Sequence, residues 1–173
     1  MRSKLIFAII LAITIFNSPQ KTYAQQRASK SSATIQNPQI ESGSDSRVKI
    51  LSDYLASQGS PLVAYSKDFV YYADKYDLDW RLVPAITGVE SSFGKEIPPY
   101  SYNGWGWGVY GDNVARFSSW SEGIAVISEG LRERYMDEWG KKDVYEIGSV
   151  YAASPTWAAR VSYIMNDIAR YAL

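Results

Sequence analysis

The sequence predicts a mainly α-helical domain over residues 47–173, interrupted once by a loop-rich or short β-hairpin lobe. Three observations predict it. Apolar residues recur at three- and four-residue spacing from Val48 to Phe93 and again after Ser119. No long alternating run reads as a sheet, beyond a possible short hairpin near Trp105–Val109 or Arg116–Phe117. Residues 95–117 break the helical period with Gly, Pro, Tyr and Trp.

The elements follow in order. Val48 through Leu55 carries apolar residues at helical spacing, and Gly59-Ser60-Pro61 ends it. Pro61 suits a first helical position, and the next helix runs from Leu62 to Tyr76. Asp77-Leu78-Asp79 is a turn with Asp79 as N-cap. Trp80 to Phe93 is the third helix, stopped by Gly94. Ser118 or Ser119 caps a helix reaching about Glu138. Asp143–Ala152 is a short helix, and Ser154-Pro155 opens the last, to about Tyr171.

The first residues read differently. Arg2 and Lys4 precede twelve residues, Leu5 to Phe16, in which only Thr14 is polar. A short polar stretch then ends in Thr22-Tyr23-Ala24. That order is a secretory signal cleaved after Ala24, and the apolar run is too short to span a bilayer comfortably. No Cys follows it, so no lipid anchor is expected. Residues 25–46 hold no aromatic residue and are rich in Ser and Gln, with Asn37 among them. Such a stretch cannot offset its ordering entropy and reads as a flexible linker. All six Trp lie after Asp79, within the globular part.

Charge and absent residue types narrow the chemistry. Lys+Arg and Asp+Glu are both 18, giving no electrostatic reason to expect a nucleic-acid partner. Loss of residues 1–24 removes Arg2, Lys4 and Lys21 and no acid, leaving a net charge of −3. His and Cys are both 0, which excludes a disulfide framework, a thiol nucleophile, a Cys/His zinc site and any Ser-His-Asp triad. Catalysis must run on carboxylates, tyrosine, lysine or backbone groups. No metal or organic cofactor is implied.

Glu90 is the first candidate. On a helix from Trp80 to Phe93 it projects between Val83 and Ile86, beside the apolar stripe Leu82, Val83, Ile86, Val89 and Phe93. Desolvation and the negative helix end there would favour the protonated form, as a general acid for glycosidic cleavage needs. The bland alternatives are a Glu paired with Arg81 or Arg160, or one at the solvent edge of the helix. The second candidate is Asn103-Gly104-Trp105-Gly106-Trp107-Gly108-Val109-Tyr110-Gly111. Glycines alternating with rings let backbone approach a ligand while aromatic faces cover it, although a packed aromatic lobe has the same composition.

These residues carry a resemblance. Leu82-Val83-Pro84-Ala85-Ile86-Thr87-Gly88-Val89-Glu90-Ser91-Ser92-Phe93-Gly94 resembles the catalytic-helix motif of lysozyme-like enzymes, a Glu-Ser pair followed by an aromatic and a Gly. These include bacterial endo-β-N-acetylglucosaminidases of the mannosyl-glycoprotein glucosaminidase-like family and lytic transglycosylases. Asn103-Gly104-Trp105-Gly106 is similar to the glucosaminidases' Asn-x-aromatic-Gly segment. Phe117-Ser118-Ser119-Trp120-Ser121-Glu122 is similar to their following helix start. Tyr151-Ala152-Ala153-Ser154-Pro155-Thr156-Trp157-Ala158-Ala159-Arg160-Val161 resembles their Tyr-Ala-Thr-Asp-Pro-x-Tyr-Ala-x-Lys-Val segment.

The resemblance implies a lysozyme-like α+β fold, a helical bundle with a small lobe beside a substrate cleft. It implies Glu90 as the acid and Tyr151 in the cleft. Ser91 and Ser92 would support the helix end or bind substrate, and Asn103, Trp105, Trp107 and Tyr110 would line the cleft. The expected activity is cleavage of β-1,4 bonds in the glycan strand of peptidoglycan by an exported monomer, in the periplasm or the medium, with no stable membrane anchor after cleavage. One departure bears on the product. Hydrolysis commonly uses a second carboxylate, and residues 95–117 offer only Glu96 and Asp112. Asp112 also suits a turn. Without either, the sugar's 2-acetamido group or Tyr151 would assist, or a lytic transglycosylase would close a 1,6-anhydro ring. A non-catalytic glycan-binding module would keep the aromatic residues and need no acid.

The remaining residues read as structure. Glu129, Glu133 and Asp137, with Arg132 and Arg134, make a solvated helix face. Met136 and Met165 fill the core. Lys141-Lys142 is a surface turn, and Trp157 and Tyr163 pack the last helix.

Overall fold

The computed structural model describes residues 45–108 and 113–171. The expected signal segment 1–24, nearly all of the linker 25–46, and Tyr110 and Asp112 of the candidate site lie outside the described residues. The protein is mainly helical, and no strand occurs among the described residues. None of their helices is long and apolar enough to cross a membrane.

Helix α1 spans Ser46–Ser57, with the Asp45 side chain accepting from the Arg47 N–H at 3.0 Å. Its buried residues are Leu51, Tyr54 and Leu55, one stripe at helical spacing. Gly59 turns the chain with φ +62°, and Ser60 then does two jobs. Its Oγ accepts from the Leu62 N–H at 3.0 Å and donates to the Phe93 carbonyl at 2.7 Å. The expected single helix from Leu62 is a 3-10 turn at Val63–Tyr65 followed by α2, Ser66–Lys75. Helix α2 buries Ser66, Phe69, Val70 and Ala73 and ends before Asp77, which adopts φ +50°.

Helix α3, Leu82–Ser91, is the centre of the fold, packed by α2, α4 and α6. Every residue from Leu82 to Thr87 is buried, so its first two turns are core on all sides. Asp79 accepts from the Arg81 N–H at 2.9 Å just ahead of it. At Gly88 a Cβ would lie 2.7 Å from the Ile164 side chain, which makes this the close approach to the last helix. The helix is two residues shorter at each end than the apolar pattern predicts.

Helix α4, Trp120–Gly130, is capped by Ser119, whose Oγ accepts from the Glu122 N–H at 3.1 Å. It continues without a break as a π-helix, Leu131–Glu138, closed by a bond from the Trp139 N–H to the Arg134 carbonyl at 3.0 Å. Helix α5, Val144–Tyr151, is capped by Asp143 through the N–H groups of Tyr145 and Glu146, at 2.8 and 2.9 Å. Helix α6, Trp157–Arg170, closes the bundle. Met165 is buried, as expected, but Tyr163 is 65% exposed and does not pack the helix. Glu129, Glu133 and Asp137 face solvent, with Asp137 paired to Arg132 at 3.2 Å.

Candidate functional site

Glu90 is the penultimate residue of α3. The apolar pattern places it beside the buried stripe, but α3 emerges from the core after Thr87 and Glu90 is exposed. That corrects the expectation of a buried carboxyl and agrees with the alternative of a Glu at the solvent edge of the helix, the placement that a non-catalytic glycan-binding module also allows. The arginine alternative fails as well. Arg81 is taken by Asp79, Arg160 leans 3.4 Å from the Val89 carbonyl, and no salt bridge among the described residues includes Glu90. Its partner is Trp157, whose indole N–H donates to Glu90 Oε1 at 2.6 Å.

The turn after Glu90 is unusual. Ser92 and Phe93 adopt φ +51° and +62°, and Gly94 follows at +83°. Left-handed backbone is costly at residues with a Cβ and persists where neighbours over-determine it. Here they do. The Phe93 N–H reaches the Thr87 carbonyl at 2.9 Å, and the Phe93 carbonyl accepts from Ser60. Ser91 is 3% exposed and fully used: its Oγ donates to the Gly104 carbonyl at 2.8 Å, lies 3.1 Å from the Thr87 carbonyl, and accepts from the Gly94 N–H at 3.0 Å. Of the two roles open to it in the sequence, the geometry gives Ser91 the support of the helix end. Ser92 stands half-exposed at the turn.

Asn103 organises the glycine-rich segment from inside. It is 2% exposed. Its amide donates to the carbonyls of Trp107 and Ala115 at 2.7 and 3.0 Å, and its Oδ1 accepts from the N–H groups of Trp105 and Trp107 at 3.3 and 3.1 Å. All four bonding positions are occupied, so the side chain shapes the loop from behind its surface. Trp105 does not line an open surface either. It is fully buried, donates to the Val83 carbonyl at 3.1 Å, and packs its ring against Phe69, Phe117 and Trp120.

The next two residues face outward. Gly106, at φ +63°, lies directly against Glu90: a Cβ there would stand 2.9 Å from Oε2. Glycine takes that backbone without strain, and any larger residue would have to push the Glu90 carboxyl aside. Trp107 is half-exposed and rests on Gly130, where a Cβ would come within 2.6 Å of its ring. It borders a hollow whose other walls include Val126, Glu129, Glu133 and Arg134.

Tyr151 completes the group. Its hydroxyl donates to the Trp105 carbonyl at 2.7 Å, and its ring stacks on Trp157 with centroids 4.7 Å apart. Trp107 and Tyr135 lie 6.1 and 5.8 Å away on its other sides. Burial of the hydroxyl, and then the nearby Glu90 carboxylate, hold the phenol proton on well above its usual range. Tyr151 is therefore a neutral phenol at physiological pH, not a phenolate nucleophile.

The structure thus brings Glu90, Gly106, Trp107 and Tyr151 together and sets Ser91, Asn103 and Trp105 behind them. Glu96 is exposed, and its backbone N–H bonds the Ser91 carbonyl. Two contributors escaped sequence reasoning. Trp157 reads as packing, though a buried indole always needs an acceptor for its N–H. Tyr135 sits in the π-helical stretch, where a helical wheel gives the wrong face. Among the described residues no three acidic, His or Cys side chains gather as a metal site. No protein-family model matches the chain, and no curated protein matches it significantly.

Proposed function

We propose that the protein is an exported peptidoglycan glycosidase that cleaves β-1,4 bonds of the glycan strand, with Glu90 as general acid. One observation carries this reading: a carboxylate without a cation partner among the described residues, held by a neutral indole N–H at 2.6 Å beside a glycine and a bank of rings. A carboxylate kept for surface charge has no use for a buried tryptophan. A carboxylate that must hand over a proton in a fixed direction does. The sequence motifs around Glu90 and Tyr151 support the same reading, as do the signal-like first residues.

In this reading a glycan strand lies over the half-exposed Trp107 and the face of Gly106, with its apolar sugar faces on the rings. Glu90 protonates the bridging oxygen while positive charge develops at the sugar C1. Tyr151, kept neutral, holds the Trp105 backbone through its hydroxyl and backs the Trp157 ring that carries Glu90. A lysozyme-like fold with its lobe and cleft is part of this proposal. Lytic transglycosylation is the second chemistry open to the same acid, since hydrolysis commonly draws on a second carboxylate. Closing a 1,6-anhydro ring needs no such group.

Digestion of purified peptidoglycan with mass analysis of the soluble fragments tests the reading. Soluble muropeptides are expected. Reducing ends denote hydrolysis, and 1,6-anhydro ends denote transglycosylation. Protein that sediments with the glycan and releases nothing would replace the enzyme by a binding module.

A further inference from the structure

Glu90 is fixed by a closed circuit of contacts that begins and ends on α3. Its Oε1 accepts from the Trp157 indole, Trp157 stacks on Tyr151, and the Tyr151 hydroxyl bonds the Trp105 carbonyl. The Trp105 indole then returns to the Val83 carbonyl, two turns before Glu90 on the same helix. Three of the five members are buried: Trp157 at 2% exposure, Trp105 at 0% and Val83 at 1%. Such a circuit fixes the indole N–H that the carboxyl meets. One oxygen is occupied, and the other, Oε2, lies against Gly106.

Resting on the glycosidase reading, we propose that Trp157 is the positioning residue of the acid: by occupying Oε1 it makes Oε2, on the Gly106 face, the oxygen that delivers the proton. The partner's chemistry fits the task. An indole N–H donates and never accepts, so it cannot take the proton that Oε2 must give away. It is neutral, so it does not clamp the carboxyl in its charged form as a guanidinium would. As the reaction proceeds, the O–H bond at Oε2 breaks and one forms at the bridging oxygen. The C1–O bond then opens, with its electron pair on the leaving oxygen. Glu90 is left as a carboxylate, and the bond from Trp157 becomes charge-assisted and stronger at that moment. An interaction that strengthens along the reaction lowers the barrier and leaves substrate binding unchanged. Water or the substrate's own C6 hydroxyl then bonds to C1, and the proton it sheds returns to the Glu90 carboxylate, which restores the acid.

Trp157→Phe keeps the ring stack and removes the N–H. On soluble glycan fragments we expect kcat to fall about 10- to 100-fold with KM within about twofold. In a Glu90→Gln background the same change should cause no further loss, because the two act as one unit. A second readout needs no activity. The indole proton resonance missing from Trp157→Phe belongs to Trp157, and it should move when Glu90 becomes Gln. Full kcat in Trp157→Phe beside an active parent would overturn the proposal and leave the glycosidase reading intact. An indole resonance indifferent to Glu90→Gln would overturn it as well. A parent protein that cuts no glycan would instead overturn the glycosidase reading, and the delivery step with it.

Discussion

Two aromatic segments meet at Glu90, and they invert what their compositions suggest. The run Gly104–Gly108 reads as ligand-lining throughout, yet Trp105 is fully buried while Trp107 is half-exposed two residues later. Trp157, at the start of the last helix, reads as packing, yet its indole touches the carboxylate. Composition reports how many rings a segment has. It does not report which way each ring turns, because that depends on where the indole N–H finds an acceptor. For Trp105 the acceptor is a backbone carbonyl in the core, and for Trp157 it is Glu90.

Substitutions break the comparison at its extremes. Trp105→Ala should cost about 3–5 kcal/mol of stability, as loss of a core aromatic does, read by denaturant unfolding. Ser91→Ala comes next. It strands the Gly104 carbonyl and the Gly94 N–H, and about 1–3 kcal/mol should be lost. Gly106→Ala sharpens the contrast between scaffold and site. Its φ of +63° makes alanine cost about 1–2 kcal/mol, while the new methyl meets Oε2. Cleavage should therefore fall more than stability, measured as rate against melting temperature. Trp107→Ala should lower the melting temperature less than Trp105→Ala does, because its ring is only half-buried, and weaken glycan affinity by about 1 kcal/mol, the worth of one stacked ring. An equal loss of stability in Trp105→Ala and Trp107→Ala would erase the distinction.

The smallest effect is a pH dependence. Tyr54 and Tyr151 both hold their protons above the usual tyrosine range, Tyr54 chiefly by burial and then by Asp167, and Tyr151 by burial and then by Glu90. A folded-state pKa that is raised stabilises the protein fully below the unfolded value and loses that contribution as pH rises past it. Stability should hold through neutral pH and decline above about pH 10. Tyr151→Phe should soften that decline in a series of unfolding curves.

The helices were legible because their apolar spacing repeats over many residues, and α3 and α6 carry enough of it to outweigh local noise. Their ends were not. Ser92 and Phe93 take left-handed backbone without being glycine, since Ser60 from a distant turn and the adjoining Ser91, itself tied to Gly104, hold that turn. Glu90 was legible as a residue of interest and misread in its burial, because periodicity describes the side of a helix and not the point where the helix leaves the core. The π-helical stretch that brings Tyr135 to Tyr151 has no period that a sequence reveals. The Asn103 bonds, which link residues up to twelve apart, are equally silent in it.

The most direct measurement is peptidoglycan release by the protein beside its Glu90→Gln variant, with sedimentation of each on the same glycan. Glutamine keeps the shape and can still accept from Trp157 but carries no acidic proton. Release should fall by a factor of about 100 to 10,000 while sedimentation is unchanged. Undiminished release from Glu90→Gln would show that this carboxyl is not the acid, and the account of the site would fall with it.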